Sequence, residues 1–172
     1  IQHKYSFPST WDEKAQWALT VRWSYLTNTL GAIQGSNCYY ADYPPASACF
    51  HYFFEKVGFG YSDSKLYVSM TMLMFAFLVP VLANPIIRKS RIKSIIVTIA
   101  LFASVYSVYS RPYSSLTVDC LLGVVFAYVI YNIYSETDKH VRLLGTYGGV
   151  LILPIIKESG VFFSIIILIL CL

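Results

Sequence analysis

Nine carboxylates among 172 residues are few, and their positions limit the chemistry open to this chain. Asp12, Glu13, Asp42, Glu55 and Asp63 all precede residue 66, Asp119 lies near the start of a later apolar stretch, and Glu158 sits between two others. Asp12 and Glu13 adjoin each other in Trp11-Asp12-Glu13-Lys14, where a helix is expected to begin. A carboxylate there gains about 0.3–1 kcal/mol from the helix dipole and can act as a general base that takes a proton from an acceptor hydroxyl. Helix capping accounts for the same pair, since Thr10 and Glu13 have capping-box spacing. In Tyr40-Ala41-Asp42-Tyr43-Pro44-Pro45, two prolines stiffen a loop that would hold Asp42 and Tyr43 against a substrate; an ordinary surface turn uses the same residues.

Asp119 is the sole acid inside an apolar span. A carboxylate in lipid costs at least about 2.5 kcal/mol, so Asp119 is expected to face protein or a polar cavity, or to sit at the interface wetted by headgroup water or bonded to Ser115 or Arg111. His3, Lys4, Lys14, Arg22, Arg111 and Lys157 are the outer-side cations, any of which could receive a lipid-linked phosphate or simply be solvated or paired with headgroups; Arg22, ten residues beyond Asp12, and Lys157, at the end of a short span, stand out among them. His51 has no ligand spacing to another histidine and reads as an interfacial residue. Four cysteines show no CxxC or Cys/His spacing, which argues against structural zinc. Cys38 and Cys49 flank the proline elbow, where a disulfide and two free thiols are both open.

The elements that must position these groups belong to a chain too apolar for an ordinary soluble domain: 56% hydrophobic, 13% charged, mean hydropathy +0.57. The expected fold is all-α, a polytopic transmembrane bundle of about five spans at 66–87, 94–109, 116–134, 143–156 and 160–172. Residues 1–65 form a separate extracytoplasmic segment with interfacial helices. Arg88, Lys89, Arg91 and Lys93 crowd the loop after the first span and mark it as cytoplasmic, which leaves residues 1–65 outside. A helix is expected from Trp11 to Leu30, with Trp11, Ala15, Ala18, Val21, Tyr25 and Leu26 on its apolar face and Lys14, Gln16 and Arg22 elsewhere. Ala46 to Val57 predicts a second. Gly145, Gly148, Gly149 and Pro154 predict a fourth span that is either broken or buried among other helices. The chain opens on Ile1 and stops inside an apolar run, and so reads as a fragment whose last span is truncated. Its basic residues, net charge +4, do not interleave with aromatics as a nucleic-acid surface would, and no nucleic-acid partner is expected.

The acid at the head of an interfacial helix in Trp11-Asp12-Glu13-Lys14-Ala15-Gln16-Trp17, followed about thirty residues later by Asp42-Tyr43-Pro44-Pro45, resembles the GT-C superfamily of membrane glycosyltransferases, especially bacterial cell-envelope members. Ser114 to Gly123 and Ile156-Lys157-Glu158-Ser159-Gly160 look like further stretches of such proteins. The resemblance implies transfer of a sugar from a polyprenyl-phosphate donor to a glycan, lipid or protein acceptor at the outer face of a bacterial plasma membrane, usually with inversion. It makes Asp12 the catalytic base, with Glu13 the other candidate, and Asp42, Tyr43, Arg22, Asp119 and Lys157 substrate-binding. Some relatives need a divalent cation; no spacing here demands one, and the cofactor stays unknown. Ala46 stands where the family often has glycine after Tyr-Pro-Pro. The alternative is a transporter or lipid flippase, with Asp119 as a coupling or substrate residue and a broken fourth span.

Overall fold

The computed structural model describes residues 7–31, 35–36, 38–39, 42–84, 87, 89–108, 115–135 and 138–171. Tyr40, Arg88 and Arg111 lie outside that set. Among the described residues all regular structure is helical. A π-helical turn, Glu13–Trp17, runs into α1 (Ala18–Thr27); then follow α2 (Ala46–Val57), α3 (Asp63–Leu82), α4 (Arg91–Val108), α5 (Val118–Ser135), α6 (Lys139–Ile156) and α7 (Gly160–Leu170).

Local chemistry explains where these helices start and stop. Thr10 and Glu13 form the capping box, the Glu13 amide donating to Thr10 Oγ1 (3.3 Å) and the Thr10 amide to Glu13 Oε2 (3.3 Å). Asn28 ends α1 in the left-handed region at φ 53°. Pro45 leads into α2, and α2 gives way to Gly58-Phe59-Gly60, where Phe59 and Gly60 both have positive φ. The first apolar helix begins at Asp63 and ends at Leu82, not over 66–87 as expected. Pro80 is accommodated inside the helix, and the earlier end falls just before the sequence's Pro85, since the residue preceding a proline is pushed out of the helical region. Asp138 caps α6 by accepting from the His140 (2.8 Å) and Val141 (3.2 Å) amides.

The expected apolar face of the first helix needs correction. Ala15, Ala18 and Val21 are buried, but Gln16, Thr20 and Ser24 are buried with them, while Trp11 and Leu26 are exposed. The π-turn, closed by the Ala18 amide on the Glu13 carbonyl, adds a residue to the turn and shifts the register of everything before it.

One apolar core runs through the fold. Ala18 and Val21 of α1 belong to the same buried cluster as Leu66, Met70 and Met74 of α3, Leu121 and Val125 of α5, Leu153 of α6 and Ile167 of α7. α5 packs against α3, α6 and α7, and α2 lies between α1 and α3. α6 is continuous, so the glycine-rich stretch is no break. Gly145 and Gly149, four residues apart, share the face turned to α5: a Cβ at 149 would overlap a Val129 methyl, and one at 145 would stand 2.7 Å from Asn132 Nδ2. Small residues at this spacing let two backbones approach closely.

The outer surfaces of these helices are apolar too. Met72, Phe75 and Val79 on α3, Ile95, Ile96 and Ile99 on α4, Leu144 and Leu151 on α6, and Phe162, Ile166 and Ile169 on α7 are all exposed. By length and composition α3 is the described helix able to cross a membrane; the apolar helices Val118–Tyr134 and Gly160–Leu170 are shorter.

Candidate functional site

Glu13 organises the site, though its role is not the one its neighbour Asp12 invites. Its side chain is buried, 2% exposed. Oε2 accepts from the Ser9 amide at 3.0 Å, the Thr10 amide at 3.3 Å and the Ser9 hydroxyl at 3.4 Å. Oε1 accepts from the Leu116 amide at 2.9 Å, from a residue 103 positions later. Burial alone would raise the Glu13 pKa, but the amides of Ser9, Leu116 and Thr10, with the Ser115 hydroxyl, outweigh it and hold the carboxyl below its ordinary value. A carboxylate with both oxygens occupied and a lowered pKa is a poor proton acceptor and a good tether. Glu13 therefore holds the helix head against the segment before α5, while Asp12 is exposed and bonded to no described residue.

That tether joins the head of the π-turn to the mouth of α5, where Asp119 is the second residue of the helix. Lys157, in the α6–α7 connection, donates to Asp119 Oδ1 at 2.5 Å, so two expected site residues meet each other. The pair is part-exposed, Asp119 at 43% and Lys157 at 23%. Asp119 is therefore satisfied by Lys157, and the expected contacts with Ser115 or Arg111 are not needed to account for it.

Arg22 is placed elsewhere. Its Nη2 donates to both oxygens of Asp63, at 3.1 and 3.2 Å, and the guanidinium lies 5.2 Å from the Tyr61 ring centre. Tyr61 in turn donates to Asp63 Oδ1 at 2.8 Å. The Tyr61 hydroxyl, and after it Asp63, raise the pKa of Arg22 and hold it charged. The proline elbow approaches α1 through Tyr43, whose ring meets the edge of Trp17 at 5.0 Å, while Asp42 is exposed. Arg22 is thus paired with Asp63, and Lys157 with Asp119, so the expected cations serve two separate acids.

α2 carries an inward polar face that the sequence does not lead one to expect. Ser47, His51 and Glu55 repeat every four residues along α2 and are all buried against the rest of the fold. His51 is an inward residue rather than an interfacial one: Nδ1 lies 2.6 Å from Ser69 Oγ, and burial lowers its pKa to about 4. Glu55 Oε2 accepts from the Ser62 amide at 3.0 Å and lies 3.9 Å from Lys65 Nζ, while Oε1 is buried without a partner, and burial raises the pKa. The i, i+4, i+8 spacing of these polar residues was the signal available. Tyr67, 2% exposed at the start of α3, is buried as well.

Cys38 and Cys49 are both free thiols, so the elbow is not closed by a disulfide. No cluster of three or more metal-ligating side chains occurs among the described residues. A cavity of about 130 Å³ between α1 and α2, walled by Thr20, Ser24, Asn28, Pro45, Cys49 and Tyr52, contains none of the expected site residues. The chain matches no family model, no curated protein and no solved structure.

Proposed function

We propose that this chain is part of a multi-pass membrane glycosyltransferase that moves a sugar from a polyprenyl-phosphate donor to an acceptor hydroxyl at the outer face, with Asp12 as general base. The membrane setting is supported by α3 and by the apolar residues that face outward on α3, α4, α6 and α7, an arrangement that water would penalise and lipid would not. The basic connection between α3 and α4 would face the cytoplasm, which places residues 1–65 and the mouth of α5 on the opposite side.

The observation that carries the chemical reading is the Glu13–Leu116 bond. It fixes an exposed carboxylate, Asp12, at the same end of the bundle as the Asp119–Lys157 pair. In the proposed reaction Asp12 takes the acceptor proton as the acceptor oxygen attacks the anomeric carbon. The bond from that carbon to the phosphate oxygen breaks, and polyprenyl phosphate leaves with the electron pair. In this reading Lys157 meets the phosphate by exchanging Asp119 for it, and no nucleotide-binding fold is required. The transporter reading loses one support, since α6 is unbroken.

The test is transfer from a panel of polyprenyl-phosphate sugars by the full-length protein in membranes, read by mass spectrometry of the products. Asp12→Asn should lower turnover at least about a hundredfold, the usual weight of a general base, with membrane insertion unchanged. Full activity in Asp12→Asn would remove the base assignment.

A further inference from the structure

Beside α1, away from the Asp119–Lys157 pair, lies a groove of about 240 Å³ that the proposed reaction does not use, walled by Phe7, Pro8, Lys14, Leu19, Arg22 and Asp63. The π-turn builds it. In an unbroken α-helix, at about 100° per residue, Lys14 and Arg22 would diverge by about 80°; the residue added by the π-turn closes most of that angle. Both basic side chains consequently reach one groove, with Ala18 between them leaving room. π-turns recur at functional positions because they re-aim side chains in this way.

The groove also has a defined depth. Asp63 is the first residue of α3, the helix long and apolar enough to cross a bilayer, and α3 becomes apolar at Leu66. At 1.5 Å per residue the Arg22–Asp63 pair stands only about 5 Å above the start of the hydrocarbon, at the level of lipid phosphates. Phe7 and Trp11, both more than half exposed, project from the adjoining segment as interfacial aromatics do. Asp63 and Tyr61 hold the Arg22 guanidinium in position through one edge, and the two cations outnumber the one carboxylate in the groove.

We infer that the Lys14–Arg22 groove binds the phosphate of an anionic membrane phospholipid, seating the outer segment on the bilayer. This rests on the membrane reading above but not on glycosyl transfer. The test uses the full chain in detergent micelles, titrated with short-chain phosphatidylglycerol, short-chain phosphatidylcholine and inorganic phosphate, with thermal stabilisation and native mass spectrometry as readouts. Phosphatidylglycerol should bind and stabilise in preference to phosphatidylcholine, and Lys14→Gln should weaken it about fivefold, the weight of one basic residue near an anionic headgroup. Arg22→Lys, which keeps a partner for Asp63, should weaken it less than Lys14→Gln does, and both variants should remain folded and bind phosphatidylcholine like the wild type. Equal binding of the two lipids, or phosphatidylglycerol binding unchanged in Lys14→Gln, overturns the inference. Equal stabilisation by inorganic phosphate overturns the lipid source and makes the groove a free-phosphate site. Extraction of the protein from membranes by carbonate would sink the membrane reading itself; carbonate resistance without headgroup preference would sink the groove alone.

Discussion

Glu13 Oε1 accepts a hydrogen bond from the Leu116 amide at 2.9 Å, so a residue in the opening segment is fastened to the mouth of a helix 103 positions away. The other oxygen is meanwhile filled by Ser9 and Thr10, and one carboxylate serves as both helix cap and cross-brace. The arrangement explains why two adjacent acids have different fates. Asp12 is left outside because Glu13 is drawn in.

Replacing Glu13 tests that division. Glu13→Gln keeps the shape but loses the charge and half of the acceptor capacity, leaving buried amides short of a partner, and should destabilise the protein by about 2–3 kcal/mol. Because the folded carboxyl titrates below its unfolded value, its contribution is full above the ordinary carboxylate range and is lost as pH falls through the folded pKa. Wild type should therefore lose its advantage over Glu13→Gln below about pH 4, measured by thermal unfolding across pH. A variant as stable as wild type at neutral pH would show that the brace carries no weight.

His51 predicts a separate acid response. Its pKa falls from 6.5 to about 4 on burial, so the unfolded chain binds the extra proton first, and stability should fall as pH drops from 6.5 to about 4. At 1.36 kcal/mol per unit the loss amounts to about 3 kcal/mol. Glu55 works in the opposite sense. Its raised carboxyl pKa gives a contribution that is full below the unfolded value and is lost as pH rises through the folded one. Lys65 would not be orphaned by Glu55→Gln, since it also donates to the Gly58 (2.8 Å) and Gly60 (2.5 Å) carbonyls. Relative to wild type, Glu55→Gln should be more stable at pH 8 than at pH 4; an unchanged difference between those pH values would show that Glu55 is not held in this way.

At the α5–α6 contact, Gly149→Ala forces a methyl into Val129, whose branched side chain has little rotamer freedom. The expected cost is about 1–3 kcal/mol, and Val129→Ala should recover part of it in the double variant. Gly148→Ala, with open space at the same helix level, should be neutral or slightly stabilising. Equal effects at 148 and 149 would show that the two helices do not meet as described.

Cys49 offers a test of orientation. It is exposed while Cys38 is buried, and both are free. A membrane-impermeant maleimide added to intact cells should label Cys49, and Cys49→Ser should abolish that signal. Labelling only after lysis would invert the proposed topology. Partial burial raises the Cys49 thiol pKa, so the reaction should be run at alkaline pH.

The sequence by itself determined the helical segments and their nature. Apolar length marked the later helices, the capping box marked the start at Thr10, and the prolines marked the entry to α2, because each of these is a signal between residues close in the chain. The end of α3 was legible too, had Pro85 been weighed against the apolar run that continues past it. Local sequence could not choose between Asp12 and Glu13, since both sit at a helix start and both suit a cap. The choice depends on where the Leu116 amide comes to rest, which is a matter of how α5 packs on α3. Likewise Lys157 and Asp119 are 38 residues apart, and Arg22 and Asp63 are 41 apart, so their pairing follows from helix packing rather than spacing. The π-turn had the widest effect: one added residue moved Gln16 into the core, Trp11 out of it, and Lys14 into line with Arg22. No periodicity argument built on 3.6 residues per turn can anticipate such a shift.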